Sequence, residues 1–163
     1  MKLALVSDSH DHWENLKKAV HLANEADCEV LLHAGDLIAP PGIEMLKPFQ
    51  GEVYFVWGNN EGEKVGITRQ MDAAESLTLA GDVLDMEIGG LSVFMNHYPT
   101  IAQLAFQAGS YDLVVYGHDH AYHVEEADAQ FLINPGEICG YRTGVASFVI
   151  FDTKARTAER ISL

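Results

Sequence analysis

Cysteine is scarce. The 163 residues contain only Cys28 and Cys139, far apart and without C-x-x-C spacing, which excludes a multi-thiolate zinc site and a dithiol redox motif. Two free thiols in a reducing compartment are expected. Basic residues are few as well: 10 lysines and arginines face 24 acidic residues, for a formal net charge of −14. Such a chain repels a long polyanion unless bound metal ions supply positive potential, so long nucleic acid is not the expected partner. No run of like charges reaches five residues, which spreads the acidity over surfaces instead of gathering it in a tail. Long apolar runs are missing too. No segment approaches the roughly 18 residues of a membrane span. The stretch Met1–Val6 is too short for a signal h-region and lacks a small-residue cleavage site. A cytoplasmic protein without a membrane partner follows as the expectation. There is no Gly-x-x-x-x-Gly-Lys phosphate loop, no Gly-x-Ser-x-Gly elbow, no repeat, no low-complexity stretch and no linker, so residues 1–163 read as one domain.

What is present is a chain that is 48% hydrophobic, ample for a core. Leu3–Val6 reads as a buried strand. Asp11-His12-Trp13-Glu14 has capping-box spacing, and Trp13, Leu16, Val20 and Ala23 recur at helical intervals. Val30–Leu32 gives a second strand, Pro40–Phe49 a short helix or turn, and Val53–Trp57 a third strand. Strands alternating with helices argue for parallel pairing. From Leu77 to Met95 the pattern turns antiparallel, with Val83–Ile88 and Leu91–Met95 hinged at Gly89-Gly90. Ile101–Ala108 is a helix and Asp112–Tyr116 a strand. Phe131–Ile133, Val145–Phe151 and Thr157–Ile161 make the last third all-β. A two-layered β core with helices outside is the resulting picture.

Polar groups collect where the apolar runs stop. Asp8-Ser9-His10, Gly35-Asp36, Gly58-Asn59-Asn60, Asn96-His97 and Gly117-His118-Asp119-His120 each follow a predicted strand. In a strand, residues two apart share a face, so Asp8/His10 and His118/His120 would each present two ligand atoms together. Each motif alone is common. Strand termini are where layered folds gather ligand-binding side chains, and the ordered set points to one shared rim. Imidazole nitrogen combined with carboxylate and amide oxygen suits divalent transition metals.

This ordered set resembles the calcineurin-like metallophosphoesterases, and within them the small single-domain bacterial and archaeal phosphodiesterases. The late Asn134-Pro135-Gly136 is similar to a block of that small branch, so the resemblance spans nearly the whole chain. It implies an α/β fold, a four-layer α/β/β/α sandwich of two mixed β-sheets flanked by helices. It also implies two divalent metal ions, Mn²⁺ being expected and Ni²⁺, Fe²⁺ or Zn²⁺ the alternatives. Asp8, His10, Asp36 and His120 would hold one ion, and Asp36, Asn59, His97 and His118 the other, with Asp36 as bridge. Two carboxylates against two ions leave a local charge of about +2, enough to capture a phosphate. Ions roughly 3.5–4 Å apart can share a water, lower its pKa and aim the hydroxide in line with the leaving group. The implied substrate is a small phosphodiester.

The chain departs from the family pattern in two places. Asn60 stands where many members carry a histidine after Gly-Asn. Asparagine can hydrogen-bond a phosphoryl oxygen but cannot act as a general acid near neutral pH, so either good leaving groups are favoured or water or another residue supplies the proton. Tyr98 replaces the glycine that often follows the ligand at His97 and is expected to crowd or line the pocket. Of the remaining candidates, His33 is read as a core residue or as a partner to Asp36, and His12, His21 and His123 as capping, surface and strand residues. Glu61 is read as orienting a neighbour or as a solvated turn. Arg142 is read as a phosphate contact or a surface ion pair. The rival functions are a non-catalytic scaffold on the same fold, and a phosphomonoesterase or pyrophosphatase using the same centre. Exposed sheet edges are compatible with a homodimer.

Overall fold

The computed structural model describes residues 1–163. Alternating burial along each strand sets the layers. In β1 (Lys2–Val6), Ala4 and Val6 pack on the helix side while Leu3 and Leu5 face the second sheet. The same alternation holds in β2 (Val30–His33), where Leu31 opposes Val30 and Leu32. Period-two burial on both faces is what a central strand between two apolar layers requires. Each fully buried Leu, Val or Phe contributes roughly 1.5–3 kcal/mol.

The first sheet continues with β3 (Glu52–Val56) and β4 (Leu77–Gly81), parallel to β1 and β2, and is completed on the other side of β1 by antiparallel β10 (Ser147–Asp152) and β11 (Thr157–Ser162). Its order is β11-β10-β1-β2-β3-β4. The second sheet contains β5 (Val83–Ile88), β6 (Leu91–Asn96), β7 (Leu113–Val115), β8 (His123–Ala127) and β9 (Gln130–Asn134), in the order β5-β6-β7-β9-β8. Here β6, β7 and β9 are parallel, and β5 and β8 are antiparallel edges. Helices α1 (Trp13–Glu25), α2 (Pro41–Leu46) and α3 (Lys64–Asp72) cover the first sheet, and α4 (Pro99–Gln107) covers the second. The expected four-layer α/β/β/α sandwich is what forms. No helix is long and apolar enough to cross a membrane.

Several local expectations are corrected. The α1 cap is His12, whose Nδ1 accepts from the Asn15 amide at 3.3 Å, because Asp11 sits in left-handed backbone and its carboxylate accepts from the Trp13 indole instead. Trp13 is 41% exposed and lies outside the buried stripe of Leu16, Ala19, Val20 and Ala23. Leu77–Gly81 pairs parallel with β3, so the antiparallel section begins only at Val83. Helix α3 has no counterpart in the sequence reading, and of strand β8 only His123 is read there as a strand residue. The first buries only Ile67 and Met71, and the second is almost wholly exposed. Neither presents the apolar period that reveals an element.

Candidate metal centre

Parallel pairing brings the C-terminal ends of β1, β2 and β3 to one edge of the first sheet and those of β6, β7 and β9 to the facing edge of the second. Every candidate ligand lies in the turns that leave these ends. The turns are stitched together by backbone hydrogen bonds: the Asp8 amide to Gly35 O and the His10 amide to Asp36 O at 3.0 Å each, and the Gly117 amide to His97 O at 3.1 Å. The His118 amide donates to Asp8 Oδ2 at 3.0 Å, which crosses from one sheet to the other.

Two groups of ligand atoms result. In the first, Asp8 Oδ1 lies 3.7 Å from His10 Nε2 and 3.5 Å from His120 Nε2. In the second, Asn59 Oδ1 lies 3.0 Å from His97 Nε2 and 2.8 Å from His118 Nδ1. Asp36 Oδ2 touches both, 3.4 Å from His10 Nε2 and 3.5 Å from His97 Nε2. All seven predicted positions thus lie close together at one end of the sandwich.

The two-residue spacing works differently from a strand ladder. Strand β7 ends at Val115, before the histidine pair. Asp8, His10, Asp36, His118 and His120 all have left-handed backbone, with φ between 41° and 74°. Non-glycine residues seldom adopt this conformation, and it costs on the order of 1–3 kcal/mol each. Tight turns, not extended chain, aim these side chains inward.

The donor set suits divalent cations. Asp8 Oδ1 and His10 Nε2 are buried and have no hydrogen-bond partner, an arrangement that is costly unless something charged lies between them. The first group (Asp8, His10, His120), and likewise Asp8, Asp36 and His97, keep their ligand atoms within 4.8 Å of one another. Burial opposes ionisation of Asp8, but the close approach of the His10 imidazole, a hydrogen bond from the Ser7 hydroxyl and the field of His97 and His120 outweigh it and hold its carboxyl below the usual range. Contact with Asp8 raises His10 in spite of burial, and Asp36 and Glu137 add to the effect. Positive charge is drawn to this spot.

Asn60 donates to Asp36 twice, from its amide to Oδ1 at 2.8 Å and from Nδ2 to Oδ2 at 2.7 Å. Glu61 orients its neighbours: its carboxylate accepts from the Leu37 amide at 3.0 Å and the Gly58 amide at 2.7 Å, tying two ligand turns together. Tyr98 packs on both His97 and His118, with centroids 5.3 and 5.2 Å away. His33 is fully buried against Phe55 and bonds Ser9 and the Gly35 amide. His12 caps, exposed His21 pairs with Glu25 and His123 starts β8, as expected. Arg142 approaches through its amide, which donates to Glu137 at 3.0 Å. Both cysteines are free and buried; burial drives the Cys28 thiol up to about 11 and Cys139 to about 12, which leaves neither suited to nucleophilic attack.

Glu137 was not foreseen from the sequence. It is completely buried, and its Oε2 lies 2.6 Å from His120 Nδ1. Burial raises its pKa, but hydrogen bonds from the Thr143 amide, His120, the Thr143 hydroxyl and the Cys139 thiol prevail and pull it down to about 2. Its signal in the sequence was a single acidic residue placed directly after Asn134-Pro135-Gly136.

Comparison with known proteins identifies the family. A family model described as the calcineurin-like phosphoesterase superfamily domain matches residues 1–156. A phosphodiesterase of Methanocaldococcus jannaschii is 33% identical over 165 residues, covering 100% of this chain and 99% of that protein. The structure of an archaeal phosphodiesterase superposes with a TM-score of 0.93 at 34% identity, covering 100% of both chains. A phosphoesterase from E. coli shares the fold, with a TM-score of 0.70 at 17% identity over 99% of each chain.

Proposed function

The chain belongs to the calcineurin-like phosphoesterase superfamily and is a metal-dependent phosphoesterase, and on that premise we propose that it hydrolyses a small phosphodiester at a centre of two divalent ions. The observation that carries this reading is Asp36, whose Oδ2 lies 3.4 Å from a histidine of one ligand group and 3.5 Å from a histidine of the other. One carboxylate can therefore serve two ions. Mn²⁺ is the expected ion, with Ni²⁺, Fe²⁺ and Zn²⁺ as alternatives. When bound, the pair would supply an activated water for in-line attack and hold the phosphoryl oxygens.

The chain's own residues do the positioning. His97 Nδ1 is engaged by Ala34 O at 2.7 Å, which turns Nε2 toward the centre. Asn60 Nδ2 lies beside the bridge, where it can donate to a phosphoryl oxygen. It has no proton to give a departing alkoxide near neutral pH, so diesters with good leaving groups are the preferred class. The reading takes residues 1–163 as one cytoplasmic domain acting on a small substrate, not on a membrane or long nucleic acid, and it accommodates a homodimer.

The test is turnover of bis(p-nitrophenyl) phosphate with added Mn²⁺ against a chelated control. Activity is expected to exceed that on p-nitrophenyl phosphate and to fall at least about 100-fold in Asp36→Ala. No hydrolysis above the control across several metals would overturn the enzymatic reading, and a faster monoester rate would overturn the diester assignment.

A further inference from the structure

His120 has two ring nitrogens with different surroundings. Nε2 faces Asp8 Oδ1 at 3.5 Å, and Nδ1 meets Glu137 Oε2 at 2.6 Å. A carboxylate acceptor on Nδ1 selects the Nδ1–H tautomer, fixes the ring plane and leaves the Nε2 lone pair free for a cation. We propose that Glu137 is a positioning residue that locks His120 in its ligating tautomer and raises the affinity of the centre for a divalent ion. The proposal rests on the reading of His120 as a ligand.

Glu137 is itself held from several sides. Its Oε1 accepts from the Thr143 amide at 2.6 Å and the Thr143 hydroxyl at 2.8 Å. The Arg142 amide lies 3.0 and 3.1 Å from the two oxygens, and the Cys139 thiol donates to Oε2 at 3.1 Å. The Glu137 backbone bridges to Ala146, with the Ser147 amide donating to its carbonyl at 2.9 Å. A carboxylate anchored this firmly leaves the imidazole little freedom to rotate. If Glu137 served only to fold the 138–145 loop, the four loop donors would suffice and nothing would require the short contact to His120.

The experiment titrates the metal-stripped full chain with MnCl2 by calorimetry, beside thermal melts of the same samples. Glu137→Gln keeps the shape and an acceptor but loses the charge, and is expected to bind Mn²⁺ about 10–100-fold more weakly. Thr143→Val removes one of the hydrogen bonds that anchor the same carboxylate but keeps its charge, and is expected to lower the melt while weakening Mn²⁺ binding less than Glu137→Gln does; an equal or larger loss of affinity would overturn the inference. A folded Glu137→Gln with unchanged affinity would overturn the inference alone. Failure of the unaltered protein to bind Mn²⁺ would overturn it together with the reading of the centre. A second readout needs no variant: long-range ¹H–¹⁵N correlation in the Zn²⁺-loaded protein is expected to show His120 protonated at Nδ1, and protonation at Nε2 would refute the proposal.

Discussion

His33 illustrates how a histidine next to a cation site can stay out of the chemistry. It is fully buried, with Nε2 3.3 Å from Ser9 Oγ and Nδ1 accepting from the Gly35 amide at 3.2 Å. Burial lowers its pKa from 6.5 to about 4, against the pull of Asp8 and Asp36. The folded chain therefore keeps it neutral while the unfolded chain binds a proton below pH 6.5. Its contribution is complete above that pH and is lost as the pH falls toward 4, amounting to about 3 kcal/mol at the lower end. Urea unfolding of chelated protein at pH 7.5 and 4.5 should show a smaller pH-dependent loss in His33→Gln than in the unaltered chain; equal losses would refute this. The sequence offered either a core role for His33 or a partnership with Asp36, and the structure places it in the core, bonded to Ser9 and to the Gly35 amide. Glu137 shows the opposite case. Its partner His120 is 17 residues away, and no local pattern announces a contact made by turns of two different strands.

At the scale of elements, the ligand turns are closely packed on one another, and glycine makes that possible. A Cβ on Gly58 would press against the Asp36 carboxylate and amide, whereas the nearest neighbour of a Cβ on Gly62 would be Ile38 O at 3.8 Å. Gly58→Ala should fold and lose about tenfold or more in Mn²⁺ affinity by displacing the bridge, in the range seen when groups supporting a ligand are disturbed. Gly62→Ala should titrate like the unaltered chain, and equal affinities in the two variants would refute the packing argument. The strands that feed these turns were legible because β1, β2, β3 and β7 each contain an uninterrupted apolar run, and the Gly-Asp and Gly-His pairs marked their ends. Helix α3 was hidden by its polar surface, with Lys64 ahead of Ile67 and Thr68, Arg69 and Gln70 between Ile67 and Met71. The left-handed backbone of the ligands was hidden as well. Aspartate and histidine both tolerate that conformation better than most residues, but neither adopts it often enough for the residue type alone to signal it.

For the molecule as a whole, a net charge of −14 sets the conditions under which the fold works. Self-repulsion destabilises a compact acidic chain, and cations bound only by the folded state offset it. Free ion at about 100 times its dissociation constant adds about 2.7 kcal/mol, which for a chain of this size raises the melting midpoint by roughly 5–10 °C. Melts with Mn²⁺ and with chelator should differ by that amount, and Asp36→Ala should erase the difference; a rise that survives in the variant would place the ion elsewhere. Four of the candidate ligands, Asp8, His10, Asp36 and Asn59, leave the first sheet, and His97, His118 and His120 leave the second. The chain crosses back from the second sheet to the first through 135–146, the segment that carries Glu137. Ions seated between those two groups would act as a rivet through both plates of the sandwich, set beside its covalent hinge. Mechanical loosening would then start at β11 on one plate and β8 on the other, and reach the riveted edge last.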